Sequence, residues 1–285
     1  MEGDLVRGGF YLAIPAVVVV VAVLLVPTLV TLGLSMASYS IVNPENSAFV
    51  GLANYTRLIN DKEFWQSLVN TLWFVVITVP LELVIGFALA LICNQAIRGR
   101  GVMRVAILLP WALPTALNAL TWRWMYNTDF GLFNSIMLQL GLISKPINWL
   151  GQIPLAMVAM MTVAIWKTSS FMALIILTGL QAIPADYYEA ARMDGAGFWQ
   201  SLWRITIPLV KPSMFVALLF RSMDAFRAFD LPFNLTGGGP VNSTQLVTVY
   251  AHKLFFQFLQ FDYASAIAVV QFVILFALSL VYIKN

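Results

Sequence analysis

The sequence predicts an all-α, polytopic membrane protein with six transmembrane helices, and two properties of the chain lead to this prediction. The first is composition, because 60% of the 285 residues are hydrophobic and only 10% are charged, whereas soluble domains average about 45–50% and about 25%. The second is that six apolar runs are long enough to cross the bilayer as an α-helix, which takes roughly 20 residues. Since neither an internal repeat nor a Gly/Ser-rich linker divides the chain, residues 1–285 are predicted to form a single transmembrane domain.

Each apolar run predicts one span. In chain order the runs are residues 10–37, 66–93, 103–126, 152–181, 210–234 and 263–283. The first run is uncharged and longer than the apolar region of a signal peptide, so we interpret it as a retained span. The third contains Pro110 and Pro114, which lack the amide that an unbroken helix uses. We therefore expect a kink there, either beside a translocation path or as a packing feature.

The segment 244–261 mixes apolar and polar side chains and is too interrupted to be a seventh span. It predicts a short helix that is either re-entrant or lies on the outer face.

The distribution of basic residues predicts the orientation of the spans. The connection 94–104 carries Arg98, Arg100 and Arg104 without any acid, which by the positive-inside rule places it in the cytosol. Counting spans from there puts residues 182–209 and both termini in the cytosol as well. Arg7 before the first run and Lys284 after the last agree with that orientation.

Several function classes lack their motifs in this chain. It has no Gly-x-x-x-x-Gly-Lys-Ser/Thr phosphate loop, no His-Glu-x-x-His helix and no Gly-x-Ser-x-Gly turn. Its one cysteine, Cys93, allows neither an intramolecular disulfide nor a multi-cysteine metal site, and its net charge of +3 comes from scattered basic residues. We therefore expect a protein that is not an enzyme, has no catalytic residues, binds no cofactor or metal and binds no nucleic acid.

Charged side chains inside apolar runs are the first candidates for a functional site, because each costs about 2.5–3.5 kcal/mol to insert. Those that lie more than three residues from the end of a run are Glu82, Lys167, Arg221, Asp224, Arg227 and Asp230. The last four recur every three residues and predict a helix face of alternating charge. That face either satisfies its own charges and fixes helix packing, or lines a cavity for a polar solute. Glu82 is expected to pair with a basic neighbour.

A second polar belt lies in the fourth run, where Trp166, Lys167, Thr168 and Phe171 combine one charge, hydroxyl groups and aromatic rings. This mixture suits a neutral polyol better than an ion, because a cation channel concentrates acids and a proton-coupled carrier uses acid or histidine relays.

Residues 184–208 predict a cytosolic loop that contains a helix. Pro184 favours a helix start, and Asp186 lies where the positive end of the helix dipole stabilises an acid. The small residues Ala190, Ala191 and Gly195 leave room for a partner surface to approach the backbone. Simple packing of the loop is the alternative interpretation.

This stretch, Glu-Ala-Ala, three residues, Gly, nine residues and Ile-x-Ile-Pro over residues 189–208, resembles the signature of permease subunits of binding-protein-dependent ABC importers. In that family the signature forms the coupling helix that sits in a cleft of the ATPase subunit. Residues 235–240 resemble the carbohydrate-uptake branch, and residues 221–230 are similar to permeases for trehalose, maltose and related glucosides. The resemblance covers nearly the whole chain and implies the type I ABC importer permease fold.

The resemblance also implies site residues. The positions that would meet the ATPase are Glu189, Ala190, Ala191, Asp194 and Gly195. The solute-contact positions of maltose permeases fall near Trp111, Lys167, Thr168, Phe171, Arg221, Ala225 and Ala228. The chain departs from the pattern there, since Lys167 and Arg221 are charged and both alanines are small. We add Trp166, Asp224 and Arg227 as candidates.

The function implied is half of a translocation pathway that imports a trehalose-like or maltose-like disaccharide or a related glucoside by alternating access. The expected partners are a homologous permease, two ATPase subunits that use ATP and Mg²⁺, an extracytoplasmic sugar-binding protein or lipoprotein, and the lipid of a prokaryotic plasma membrane. Three alternatives stay open: another polyol cargo such as glycerol phosphate or an oligosaccharide, an ion-coupled secondary transporter, and an assembly subunit that transports nothing.

Overall fold

The computed structural model describes residues 14–41, 45, 47–95 and 98–284. Its elements are α1 (Ile14–Ser35), β1 (Ala37–Ser38), β2 (Ala48–Phe49), α2 (Ala53–Ile59), α3 (Lys62–Asn94), α4 (Arg100–Ala112), α5 (Thr115–Met125), α6 (Leu132–Gln139), α7 (Leu155–Gln181), α8 (Ala185–Met193), α9 (Phe198–Phe226), α10 (Asp230–Leu235), α11 (Val247–Phe256) and α12 (Phe261–Lys284). The predicted all-α class is confirmed. Arg7 and residues 10–13 of the first predicted span lie outside the described residues.

The predicted spans correspond to five long apolar helices and one bent pair. The helices are α1, α3, α7, α9 and α12, and the pair is α4 and α5, which meet at 91°. The expected kink in the third span is therefore a complete break. Leu113 is extended, with ψ 136°, as residues before a proline usually are. The interrupted segment after α10 contains the short helix α11, as predicted.

The predicted bounds of the fifth span, 210–234, are wrong. The helix runs over Phe198–Phe226, so it begins inside the predicted cytosolic loop and ends well before residue 234. Its first part includes a π-helical turn at Leu202–Thr206, which ends two residues before Pro208. It ends at Phe226, and Pro232 lies in the first turn of the next helix, α10.

The described residues form two compact units, of which the first comprises residues up to Phe64 together with Tyr250–Phe276. In this unit β1 pairs antiparallel with β2, with Ala37 opposite Phe49. Asn54 of α2 donates from Nδ2 to the carbonyls of Ser35 and Ala37, at 3.0 and 2.9 Å. The end of α1 is thereby tied to the hairpin and to α2, while the apolar side chains along α1 stay exposed.

Asp61 is the polar centre of the first unit. Its Oδ1 caps the start of α3 by accepting the amides of Glu63 and Phe64, and its Oδ2 accepts the hydroxyls of Tyr250 and Tyr263 at 2.6 and 2.5 Å. Burial alone would raise the pKa of Asp61, but these hydrogen bonds outweigh it and hold the pKa below its ordinary value. Burial and this carboxylate together raise the pKa of the Tyr250 hydroxyl.

The second unit comprises Trp65–Val249 and the residues from Ala277 onward. Its core lies where α3, α7 and α9 cross, and two glycines allow the helices to approach. A Cβ on Gly86 would lie 2.4 Å from the Cβ of Met172, and one on Gly179 would lie 2.3 Å from Ser213 Oγ. Arg104 ties α4 to the end of α3 by donating twice to the Cys93 carbonyl. These contacts hold α3, α4, α7 and α9 together.

Candidate functional site

A cavity of about 300 Å³ lies within the second unit, between α3, α5, α7, α9 and α10. Its lining residues are Phe74, Thr115, Ala164, Lys167, Thr168, Arg221, Asp224, Arg227, Ala228, Phe229, Asp230 and Leu231. The wall thus combines charged groups, hydroxyls and two phenylalanine rings. Among the residues that the structure describes, no group of three or more His, Cys, Asp or Glu side chains is placed to hold a metal ion.

Arg221 of α9, which lines the cavity, forms a buried ion pair with Glu82 of α3. The guanidinium donates from Nε to Oε2 at 2.5 Å and from Nη2 to Oε1 at 3.1 Å, and both side chains are almost fully buried. The expected basic partner of Glu82 is therefore Arg221. A two-bond pair of this kind holds the guanidinium in one orientation.

Asp224 extends the pair toward the open part of the cavity. It accepts from Arg221 Nη1 at 3.1 Å and lies 3.7 Å from Arg227 Nε, and the side chains of Asp224 and Arg227 are 59% and 65% exposed. The predicted ladder on one helix face is only partly correct, because α9 ends at Phe226 and Asp230 begins α10. The charges of Glu82 and Arg221 are therefore paired inside the protein, whereas those of Asp224 and Arg227 face solvent.

Lys167 lines the cavity and also contacts the backbone at the break between α4 and α5. Its Nζ donates to the carbonyls of Trp111 and Leu113, at 2.9 and 2.8 Å, and the residue is 7% exposed. Phe171, one turn later on α7, stacks on the Trp111 ring with centroids 5.6 Å apart. The main partners of this lysine are thus carbonyl groups of the broken span.

The hydroxyl residues around Lys167 serve mainly the backbone. Thr168 borders the cavity but donates to Ala164 of its own helix, and Ser169 donates likewise to Ile165. Ser170 donates across to the Ile107 carbonyl of α4 at 2.6 Å. The predicted polar belt therefore divides into a cavity side and a helix-packing side.

The structure brings together most of the predicted solute-contact residues. Those that line the cavity are Lys167, Thr168, Arg221, Asp224, Arg227 and Ala228. The four others lie outside its lining. Trp111 and Phe171 stack on each other, Ala225 is fully buried, and Trp166 packs 5.3 Å from the ring of Trp122. Sequence reasoning missed four lining residues that carry no local signal to distinguish them from the rest of the apolar runs, namely Phe74, Thr115, Ala164 and Leu231.

The predicted coupling loop contains α8, which begins after Pro184 and ends in a Schellman motif. Gly195 has φ +79°, and the amides of Gly195 and Ala196 donate back to Arg192 and Ala191 at 3.0 and 2.8 Å. The chain therefore leaves the helix at Gly195. Of the predicted coupling residues, Glu189, Ala190, Asp194 and Gly195 are exposed, whereas Ala191 is buried inside the chain.

Residues 82–284 match the family described as the binding-protein-dependent transport system inner membrane component. The chain is 41% identical to the trehalose/maltose transport system permease protein MalF of Thermococcus litoralis, covering 97% of this chain and 92% of that protein. It is 39% identical to the sulfoquinovosyl glycerol transport system permease protein SmoG of Agrobacterium fabrum, with 95% and 87% covered. It is 34% identical to the trehalose transport system permease protein SugA of Mycobacterium tuberculosis, with 98% and 88% covered.

A solved structure shares the fold. The chain superposes on a chain of a bacterial ABC transporter involved in the import of the acidic polysaccharide alginate with a TM-score of 0.85, covering 99% of this chain and 96% of that chain. The two sequences are 21% identical, so the likeness concerns the fold.

Proposed function

This chain belongs to the family of binding-protein-dependent transport system inner membrane components, and from that premise we propose that it is the permease subunit of an ATP-driven importer of disaccharides or related glucosides. The chain is a multi-pass membrane protein and a transport subunit rather than an enzyme. Its work is to bind and release a solute, and no covalent bond changes on it.

The observation that carries this proposal is the compensation of charge around the cavity. The positive side chains are Lys167, Arg221 and Arg227, and the carboxylates are Glu82, Asp224 and Asp230. Three charges of each sign leave no excess with which to attract an ion. The exposed carboxylate of Asp224 can accept from hydroxyl groups and the exposed guanidinium of Arg227 can donate to them, and the Phe229 ring, which stacks on Phe233, borders the cavity. A neutral polyhydroxyl ring fits such a wall best.

The choice of a trehalose-like or maltose-like cargo draws support from two relatives whose names state trehalose or maltose transport. Another polyol or an oligosaccharide is the second candidate, because the relative SmoG is named for sulfoquinovosyl glycerol and the structural neighbour for alginate. The solute contacts proposed for this cargo are Thr168, Arg221, Asp224, Arg227 and Ala228, which line the cavity. Further candidates are Trp111, Trp166, Phe171 and Ala225, which lie outside its lining.

In this proposal the ATPase subunit acts on the permease through α8. A docking surface for an ATPase subunit in the cytosol is formed by four exposed residues, Glu189, Ala190, Asp194 and Gly195. The buried Ala191 packs beneath this surface. The complete importer would then contain a second, homologous permease, two ATPase subunits that use ATP and Mg²⁺, and an extracytoplasmic sugar-binding protein. Both termini lie in the cytosol in this arrangement.

Transport proceeds by alternating access. ATP-driven closure of the two ATPase subunits moves α8, and the spans change their tilt in response. The cavity then closes to the cytosol and opens to the outside, where the binding protein delivers the sugar. Hydrolysis resets the cavity inward. The ion-coupled alternative leaves the exposed α8 surface without a role.

Solute competition tests the assignment. Uptake of labelled trehalose or maltose by the reconstituted importer should be inhibited by neutral disaccharides and not by sugar phosphates at equal concentration. Asp224→Asn should raise the KM for the disaccharide, while Asp129→Asn, an exposed carboxylate outside the cavity, should leave it unchanged. Preferential uptake of a sugar phosphate would overturn the proposal of a neutral cargo.

A further inference from the structure

The break between α4 and α5 leaves backbone carbonyls without helical partners. Pro114 has no amide to donate to the Pro110 carbonyl, and the helix direction changes by 91° over Leu113 and Pro114. The last carbonyls of α4 also form the negative end of its dipole. In an apolar interior, such carbonyls require another donor.

Lys167 supplies that donor from the neighbouring helix. Its ammonium lies 2.9 Å from the Trp111 carbonyl and 2.8 Å from the Leu113 carbonyl, one on each side of the helix end at Ala112. A lysine ammonium has three donors, so two are engaged in this pair of bonds. A positive charge at this point also stabilises the C-terminal end of α4.

Two further contacts of α7 hold the same stretch of α4. Ser170 donates to the Ile107 carbonyl at 2.6 Å, and Phe171 stacks on the Trp111 ring. The segment before the bend is therefore fixed to α7 by side chains spaced along one helix. Of these three side chains, Lys167 is the one that reaches beyond the end of α4, to the Leu113 carbonyl, so its removal should act on the bend itself.

The bend shapes the solute cavity, because Thr115, the first residue of α5, lines it together with Lys167. We propose that Lys167 is a positioning residue: it fixes the angle between α4 and α5, and thereby the cavity wall at Thr115, instead of recognising the solute through its charge. The effect on transport rests on the proposed function, whereas the effect on the bend does not.

Distance measurement by double electron–electron resonance tests the bend directly. Spin labels at Val105 of α4 and Leu120 of α5, both exposed, would be introduced into the complete reconstituted importer in a Cys93→Ala background. Lys167→Met keeps the chain length but removes every donor, so the distance distribution should shift or broaden. Lys167→Arg keeps a charged donor and should restore the original distribution.

Thr168→Val is the matched control, because Thr168 borders the same cavity but donates within its own helix. It should leave the distance distribution unchanged. Uptake provides the second measurement, in which Lys167→Met should raise the KM about tenfold and Lys167→Arg should largely reverse the rise.

The outcomes separate the possibilities. A raised KM with unchanged spin-label distances in Lys167→Met would mean that Lys167 binds solute directly. A shift of the spin-label distance in Thr168→Val as large as in Lys167→Met would mean that the bend depends on the cavity as a whole. Either result overturns the proposal. If Lys167→Met fails to assemble, Lys167→Gln, whose side chain is one bond shorter than that of lysine and carries no charge, is measured with the same criteria. A shifted distance in an importer that carries no sugar would overturn the proposed function alone.

Discussion

The buried pair of Glu82 and Arg221 provides the sharpest energetic prediction. Both side chains are almost completely excluded from solvent, and two hydrogen bonds join them. Replacing either one with methionine leaves the other charge buried without its main partner, which costs about 3–5 kcal/mol. Replacing both removes both charges at once, and such exchanges are often neutral or stabilising.

The corresponding double-mutant cycle uses Glu82→Met, Arg221→Met and the double variant. The free energy of unfolding would be measured by SDS titration of the purified chain in mixed micelles. Each single variant should lose about 3–5 kcal/mol, whereas the double variant should lose far less than the sum. Asp224→Asn is the control, because Asp224 touches the same guanidinium but is 59% exposed, and it should cost about 1 kcal/mol or less. Additive losses in the double variant would refute the interpretation of a coupled buried pair.

The remaining predictions concern three other positions. Gly195→Val places a β-branched residue at φ +79°, so it should distort the end of α8 and lower sugar uptake per ATP hydrolysed; normal coupling in a proteoliposome assay would contradict the docking assignment. Gly86→Ala puts a Cβ 2.4 Å from Met172 Cβ and should lower the thermal stability, whereas Gly101→Ala meets nothing within 4 Å and should not; equal melting temperatures would show that α3 and α7 separate easily. Asp61→Asn should destabilise the chain above the ordinary aspartate pKa of about 3.9, with the difference from wild type vanishing as the pH falls through the lower pKa of the folded state. A difference that persists at the lowest pH would assign the effect to the lost cap geometry.

The membrane architecture was accessible from sequence because hydrophobic length is a local property. The apolar runs located the spans, and Pro110 and Pro114 marked the place where the third span breaks. The fifth span was displaced because hydropathy gave weight to the apolar residues around Pro232 and too little to the polar start at Phe198. Helix continuity there depends on a π-helical turn that hydropathy does not detect.

The site was harder to predict, because its geometry depends on which helices meet. The sequence marked Glu82 and Arg221 as costly charges, but only the crossing of α3 and α9 makes them partners. Lys167 was predicted as a solute contact, and the structure shows that its ammonium is engaged by two carbonyls of another helix. No local pattern encodes such a contact, since the acceptors are backbone atoms and carry no residue signature.

The measurement that tests the central claim most directly is uptake by the reconstituted importer under two energy sources. Proteoliposomes containing the chain, its sister permease, the ATPase subunits and the binding protein would be given labelled trehalose or maltose, with ATP and Mg²⁺ on the ATPase side. We predict accumulation that requires ATP and the binding protein and persists when ionophores collapse every ion gradient. Accumulation that needs an ion gradient and continues without ATP would contradict the account.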